Sequence, residues 1–142
     1  RDSMSMLHLT YQVPGDDFTR AGEASGDVKH KLKKLGYEPD AVRRVSIAMY
    51  EGEINMVIHA GGGAIKVMVT DDNIRIILAD TGPGIPDVEK AMQLGYSTAP
   101  EEVRSLGFGA GMGLPNMKKY SDNMQIDTEV GVGTTVTMDI HL

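Results

Sequence analysis

Residues 45–63 read VSIAMYEGEINMVIHAGGG, and this stretch decides the fold. Val42, Val45, Ala48 or Met49, Ile54, Val57 and Ile58 recur at helical intervals, the pattern of a helix that buries one face. Pro39 suits the first turn of that helix, which is expected to run to about His59 or Ala60. Gly61-Gly62-Gly63 then ends it abruptly. On a neighbouring stripe, Glu51, Asn55 and His59 are spaced i, i+4, i+8 and so point the same way.

Outward from this helix the pattern changes period. Upstream, Leu7, Leu9, Tyr11 and Val13 alternate with polar residues as a half-buried strand does, and Pro14-Gly15 stops it. A helix is predicted from Asp16 or Asp17 to Leu35, with Phe18, Ala21, Val28, Leu32 and Leu35 apolar and Gly36 as its stop. Gly22 and Gly26 weaken its early half. Downstream, 64–70 and 73–79 are β-rich runs joined through Asp71-Asp72-Asn73 as a hairpin. A short helix is expected from near Asp87 to Leu94. Residues 95–113 show no strong period and read as a long loop of the kind that is functional or disordered. Residues 115–120 form another short helix, and 123–130 and 134–142 close the chain as a hairpin through Gly131-Val132-Gly133. The order β-α-α-β-β-α-loop-α-β-β is neither an alternating βαβ series nor all-β. It predicts an α/β sandwich of two layers, a sheet covered by helices on one face. The domain is assigned to 7–142, with 1–6 as an N-terminal extension and Met4 or Met6 as a natural start.

The bulk properties limit the functions available. The chain has 142 residues, 41% of them hydrophobic, and a net charge of −6. That is the size of one domain with a real core, and its acidity argues against nucleic acid as the main partner. There is no cysteine, so disulfides and thiolate metal sites are excluded. No apolar run reaches the ~18 residues of a membrane span, and the start lacks a signal-peptide core. A cytoplasmic protein without membrane contact is expected. Lys29-His30-Lys31 and Lys33-Lys34 form a basic cluster on the first helix, either a solvated face or a docking surface.

Oxygen-bearing side chains and glycines carry the chemistry. Asn55 can offer a carbonyl oxygen to Mg²⁺, a hard cation that takes oxygen ligands. Glu51, one turn earlier, can accept a proton from a hydroxyl or orient a water. The alternative is a solvated polar stripe. Glu53 lies ~200° around the helix from Glu51 at 100° per residue, which makes it a poor base. Gly52 lowers helix propensity, which suggests a close packing partner. Asp80 ends a strand and precedes Thr81-Gly82-Pro83-Gly84. Its carboxylate can accept from an exocyclic amino group such as that of adenine, or the segment can be an ordinary turn. Glycine stands at every second position from Gly107 to Gly113. The spacing fits neither the dinucleotide fingerprint nor a Walker loop. Such a lid, ending at a helix, can hold a triphosphate by its N–H groups, or it can be a surface loop.

Taken together, these segments resemble the GHKL-type ATPases, the superfamily of gyrase, Hsp90, histidine kinases and MutL. More narrowly they are similar to the bacterial anti-sigma factor and switch-protein serine/threonine kinases of stress-response and sporulation circuits. Glu51-Gly52-Glu53-Ile54-Asn55 with His59-Ala60 matches the first box, and Asp80-Thr81-Gly82-Pro83-Gly84-Ile85 the second. Residues 107–114 match the third, and Gly131-Val132-Gly133-Thr134-Thr135-Val136 the last. Gly95-Tyr96-Ser97-Thr98, followed by Gly111-Met112-Gly113-Leu114-Pro115, is especially like the switch kinases. One departure is the charged segment Ala99-Pro100-Glu101-Glu102-Val103-Arg104-Ser105, inserted between Thr98 and Leu106 where those kinases have a short lid.

The resemblance implies a Bergerat-type ATP-binding fold with a mixed, mainly antiparallel sheet, and ATP and Mg as cofactors. By position, Asn55 would hold Mg and Asp80 would read adenine, with Thr134 in support. Gly82, Gly84, Ile85, Ser97, Thr98 and Leu114 would line the nucleotide site. Gly107, Gly109, Gly111, Met112 and Gly113 would wrap the phosphates, and Glu51 would be the catalytic base. The implied activity is a protein serine/threonine kinase acting on an anti-sigma antagonist-like or scaffold protein, with a sigma factor as a further partner. The family often forms homodimers. Two alternatives remain: a non-catalytic, ATP-dependent binding module, and the ATPase part of a sensor histidine kinase detached from its phosphoacceptor helix.

Overall fold

The computed structural model describes residues 7–15, 20–85, 87–92 and 113–142. The alternating N-terminal run forms β1 (Leu7–Pro14), and two helices follow, α1 (Glu23–Lys34) and α2 (Pro39–His59). A hairpin of β2 (Gly62–Val69) and β3 (Asn73–Asp80) leads to the short α3 (Val88–Ala91). After the undescribed stretch come α4 (Gly113–Lys119), β4 (Asn123–Glu129) and β5 (Gly133–His141). No described helix is long and apolar enough to cross a membrane.

The five strands form one sheet in the order β1-β2-β3-β5-β4. Every neighbouring pair is antiparallel, so within the described residues the sheet lacks the parallel element that "mixed" implies. The reason is local. β2–β3 and β4–β5 are hairpins, β5 returns beside β3, and β1 reaches β2 through a pair of helices.

Register places Ile65, Val67 and Val69 opposite Leu78, Ile76 and Ile74, which in turn face Val136, Met138 and Ile140. All nine are buried. They form the floor of the core, and Val28, Leu32, Val42, Val45, Ala48, Met49, Val57, Leu114 and Met117 cover it from the helices. On the other face Thr10, Gln12, Lys66, Arg75, Gln125 and Asp127 are exposed, the division expected of an antiparallel sheet covered on one side. Ile58, expected in the core, is only half-buried, and Met56 is buried in its place.

The first helix differs from expectation at both ends. Asp16 and Asp17 lie outside the described residues, and the described helix begins only at Glu23. Gly22 adopts φ 99°, a left-handed conformation that no helix interior accommodates. The cap comes from elsewhere in the chain. The Glu53 carboxylate, only 2% exposed, accepts the N–H groups of Gly22 (2.9 Å), Ala24 (3.1 Å) and Ser25 (2.9 Å). A residue of α2 thus satisfies the orphan donors that every helix start presents, and its charge suits the positive end of the α1 dipole. At the other end Leu35 is the C-cap and 60% exposed, outside the core. Tyr11 also ties β1 to α1, its hydroxyl donating to Asp27, which pairs with Lys31. Of the basic cluster, Lys29, His30, Lys33 and Lys34 are exposed.

Candidate functional site

The stripe Glu51, Asn55, His59 runs along the part of α2 that α4 partly covers, and all three residues are half-buried. α4 is brought there by Leu114 and Met117, which are buried in the core. Its approach is close because Gly52 has no side chain. A Cβ built on Gly52 would lie 2.4 Å from Leu78 Cδ2 and 3.1 Å from Met117 Cε. Gly52 therefore has the close packing partner that its low helix propensity suggested.

Side chains of α4 meet the stripe at two places. The Asn116 side-chain amide donates to Glu51 Oε1 at 3.4 Å, and Asn55 Nδ2 lies 3.9 Å from Met117 Sδ. Gly113 sits directly on the Asn55 amide, since a Cβ there would be 2.7 Å from Nδ2 and 2.8 Å from Oδ1. Burial pushes the Glu51 carboxyl above the ordinary carboxylate range, with the Asn116 hydrogen bond opposing it. Burial also pushes His59 down. A half-buried carboxylate with raised affinity for a proton is suited to proton acceptance.

At the end of β3, Asp80 is fixed by backbone. Its Oδ1 accepts the N–H of Gly82 at 2.9 Å and that of Thr134 at 3.2 Å. Thr134, opposite Asp80 in the β3–β5 register, is buried. Its hydroxyl lies 2.8 Å from that of Thr128, and Thr128 Oγ1 accepts the Ile85 N–H at 2.9 Å. Asp80, Thr134, Thr128 and Ile85 are thus one connected network. The turn after β4 closes on the same loop, because Gly131 N–H donates to the Pro83 carbonyl at 2.9 Å.

The glycines of this loop are there for space. A Cβ on Gly82 would lie 2.6 Å from Ala60 Cα, so the loop rests against the C-terminal cap of α2. Gly84 has φ 81° and its Cβ position is 2.6 Å from the Glu129 carbonyl oxygen, so both its conformation and its surroundings exclude a side chain. Through the Gly82–Ala60 contact the Asp80 end lies at the C-terminus of α2. Asn55 and Glu51 follow back along the helix at about 7 and 13 Å of axial rise from Ala60.

The structure therefore brings Glu51, Asn55, Gly113 and Leu114 together at α2–α4, and Asp80, Gly82, Gly84, Ile85 and Thr134 together at β3–β5. Ser97, Thr98, Gly107, Gly109, Gly111 and Met112 lie outside the described residues. Sequence reasoning missed three residues. Thr128 could have been found from hairpin register, since the turn at 130–132 pairs it with Thr134. Asn116 had no periodic signal, because its role depends on how α4 crosses α2. Glu53 was set aside as a base, and the same rotation around α2 aims it at α1.

The family model described as histidine kinase-, DNA gyrase B- and HSP90-like ATPase matches residues 40–142. The serine/threonine-protein kinase RsbT of Bacillus subtilis is 33% identical over 112 residues, 76% of this chain and 78% of that protein. An anti-sigma F factor of Caldanaerobacter subterraneus is 36% identical over 108 residues, 72% of each chain. In fold, the chain superposes with TM-score 0.63 on a crystal structure of the RsbU and RsbW domains of a Mycobacterium tuberculosis protein, at 15% identity. That match covers 95% of this chain and 32% of the other. With the family match spanning more than half of the sequence, including every box from Glu51 to Thr134, the chain belongs to the histidine kinase-, DNA gyrase B- and HSP90-like ATPases.

Proposed function

We propose that this chain is an ATP-dependent protein serine/threonine kinase, one domain over 7–142, that modifies a partner in a cytoplasmic partner-switching circuit. One observation carries the reading: Glu51, its carboxyl raised by burial, stands one helical turn from the Asn55 amide, and α4 packs against both. A proton acceptor beside a neutral oxygen donor is the pair that phosphoryl transfer to a hydroxyl requires. The relatives named serine/threonine-protein kinase RsbT and anti-sigma F factor support a protein acceptor, and the type proposed is an antagonist or scaffold protein.

The residues present fit a magnesium nucleotide. The Asn55 amide lies so close to Gly113 that a methyl group there would overlap it, so the backbone at this position leaves the amide its place. Among the described residues no cluster of three or more His, Asp or Glu could hold a metal. Mg²⁺ keeps several waters and takes few protein ligands beside substrate phosphates, so one amide oxygen can be the chain's share. Bound magnesium would neutralise charge on the phosphates.

The chain's own residues do the rest. Asp80 Oδ1 is held by two backbone donors, which leaves Oδ2 to accept from the exocyclic amine of adenine. Thr134 and Thr128 keep that carboxylate and the Ile85 backbone in place. Asn55 Oδ1 would hold the magnesium, and a Glu51 carboxylate oxygen takes the proton as a partner's serine or threonine hydroxyl attacks the γ-phosphorus of ATP and ADP leaves with the bridging oxygen. Burial of Glu51 raises its basicity for this step.

Gly113→Ala tests the fit. Alanine is no worse a helix former than glycine at the start of α4, so the fold should keep about its stability. The new methyl would nevertheless push the Asn55 amide aside. Affinity for magnesium nucleotide is expected to fall about tenfold or more, a loss of about 1.4 kcal/mol, by calorimetry on a protein with unchanged melting. The activity itself is tested with labelled ATP, candidate antagonist and scaffold proteins, and the Glu51→Ala variant. Label transfer that disappears in the variant supports the kinase. Nucleotide-dependent partner binding with no transfer by the wild type would replace it with a binding module.

A further inference from the structure

Among the described residues, the Glu51 carboxylate receives one hydrogen bond, from the side-chain amide of Asn116. A glutamate has three rotatable side-chain bonds, and a proton acceptor works only when aimed at its target. Asn116 is well placed to aim it, because α4 is itself held firmly. Met117, the next residue, is 1% exposed and contacts the α2 backbone at Gly52, and Gly113, one turn earlier, rests on Asn55.

The chemistry of an amide suits this place. A lysine or arginine here would pair with the carboxylate and lower its basicity. An amide donates one N–H to the carboxylate and carries no charge. Once Glu51 holds the proton, the same amide can offer its oxygen to the new carboxylic O–H. Among the described charged residues of α4 and α2, those named next are exposed or paired elsewhere. On α4, Lys118 and Lys119 are exposed, and Lys119 lies 5.3 Å from the centre of the Tyr120 ring. On α2, Arg43 lies 5.6 Å from the same ring, and Arg44 pairs with Asp40 and Asp122. Glu53 is turned to α1.

Resting on the kinase reading above, we infer that Asn116 is a positioning residue for Glu51, its amide fixing the direction in which the carboxylate accepts a proton. Asn116→Ala should lower kcat for transfer by about 10–100-fold and leave KM for ATP and nucleotide affinity unchanged. Asn116→Asp, which has the same shape but no donor, should be at least as slow. In a Glu51→Gln background, Asn116→Ala should cause little further loss, since the two residues act as a unit.

A second readout needs no activity. In the nucleotide-free protein, the Asn116 side-chain N–H₂ signals in a ¹H–¹⁵N spectrum, assigned by loss in Asn116→Asp, should shift when Glu51 becomes glutamine. The inference is overturned if Asn116→Asp transfers like the wild type, if the losses add fully, or if those signals stay in place. Should the wild type transfer nothing to any acceptor, the kinase reading fails alone, and the spectrum still decides whether Asn116 holds Glu51.

Discussion

Glu51→Gln is expected to lower phosphoryl transfer by about 10²–10⁴-fold, the usual worth of a positioned base, while nucleotide binding is retained. The same substitution should make the protein more stable at neutral pH. Burial raises the Glu51 carboxyl in the folded state. Below the ordinary carboxylate pKa of about 4.3, both folded and unfolded chains hold the proton, and the glutamate costs nothing. As pH rises from that value through the raised one, the unfolded chain releases its proton first, so ionisation favours unfolding. Above the raised value the penalty is complete. Glutamine never ionises, so the Tm advantage of the variant should grow between these two values and then level off. Glu51 is half-exposed, and solvent screening keeps the gain below about 1 kcal/mol, a few degrees in Tm at most. Melting curves of both proteins from pH 4 to pH 8 check the sign. A variant that transfers phosphate normally, or that melts lower at pH 7 than at pH 4 relative to wild type, contradicts the role given to Glu51.

Glu53→Ala is expected to have the largest effect on stability. The carboxylate is buried and accepts three backbone N–H groups at the start of α1. Removing it deletes hydrogen bonds to a charged acceptor, each worth up to roughly 1.5–3 kcal/mol, and leaves buried donors unmatched. It also strips the side-chain cap that α1 has among the described residues, at about 1 kcal/mol. The contributions overlap, and a total near 3–5 kcal/mol is expected, comparable to removing one partner of a buried ion pair. For a domain of ordinary stability, roughly 5–15 kcal/mol, that is a large share. Glu53→Gln should fall between, because one carbonyl oxygen still accepts while the amide nitrogen faces donors. Urea denaturation of the three proteins measures this. A Glu53→Ala variant within about 1 kcal/mol of wild type would show that α1 is capped by other means.

These effects also mark how far the sequence could be read. The strands, the end of α2 at the glycines and the single covered face follow from periodicity, because burial on one side of a sheet or helix imposes it. Glu51 and Asn55 were visible because their partnership is local, one helical turn. Asp80 and Thr134 became neighbours only through the pairing of β3 with β5, which links residues far apart in the chain, yet their boxes marked both. What escaped depends on tertiary placement. Glu53 looked like an ordinary helix glutamate, and its function exists only because α1 starts where Gly22 turns left-handed. Asn116 needed the α2–α4 crossing, and Thr128 needed hairpin register together with the approach of Ile85. The start of α1 was set too early because apolar spacing in 18–35 continues across a glycine whose backbone cannot continue the helix. Leu35 fits the apolar period but falls at the cap, where the chain has already left the core.

Calorimetric titration of the folded protein with an ATP analogue that cannot be hydrolysed, in magnesium, tests the central claim most directly. Saturable uptake of one nucleotide per chain is predicted, weakened about tenfold or more, at 1.4 kcal/mol per decade, by Asn55→Ala and by Asp80→Asn separately. No heat of binding from well-folded protein, or the same affinity in Asp80→Asn as in wild type, would contradict it.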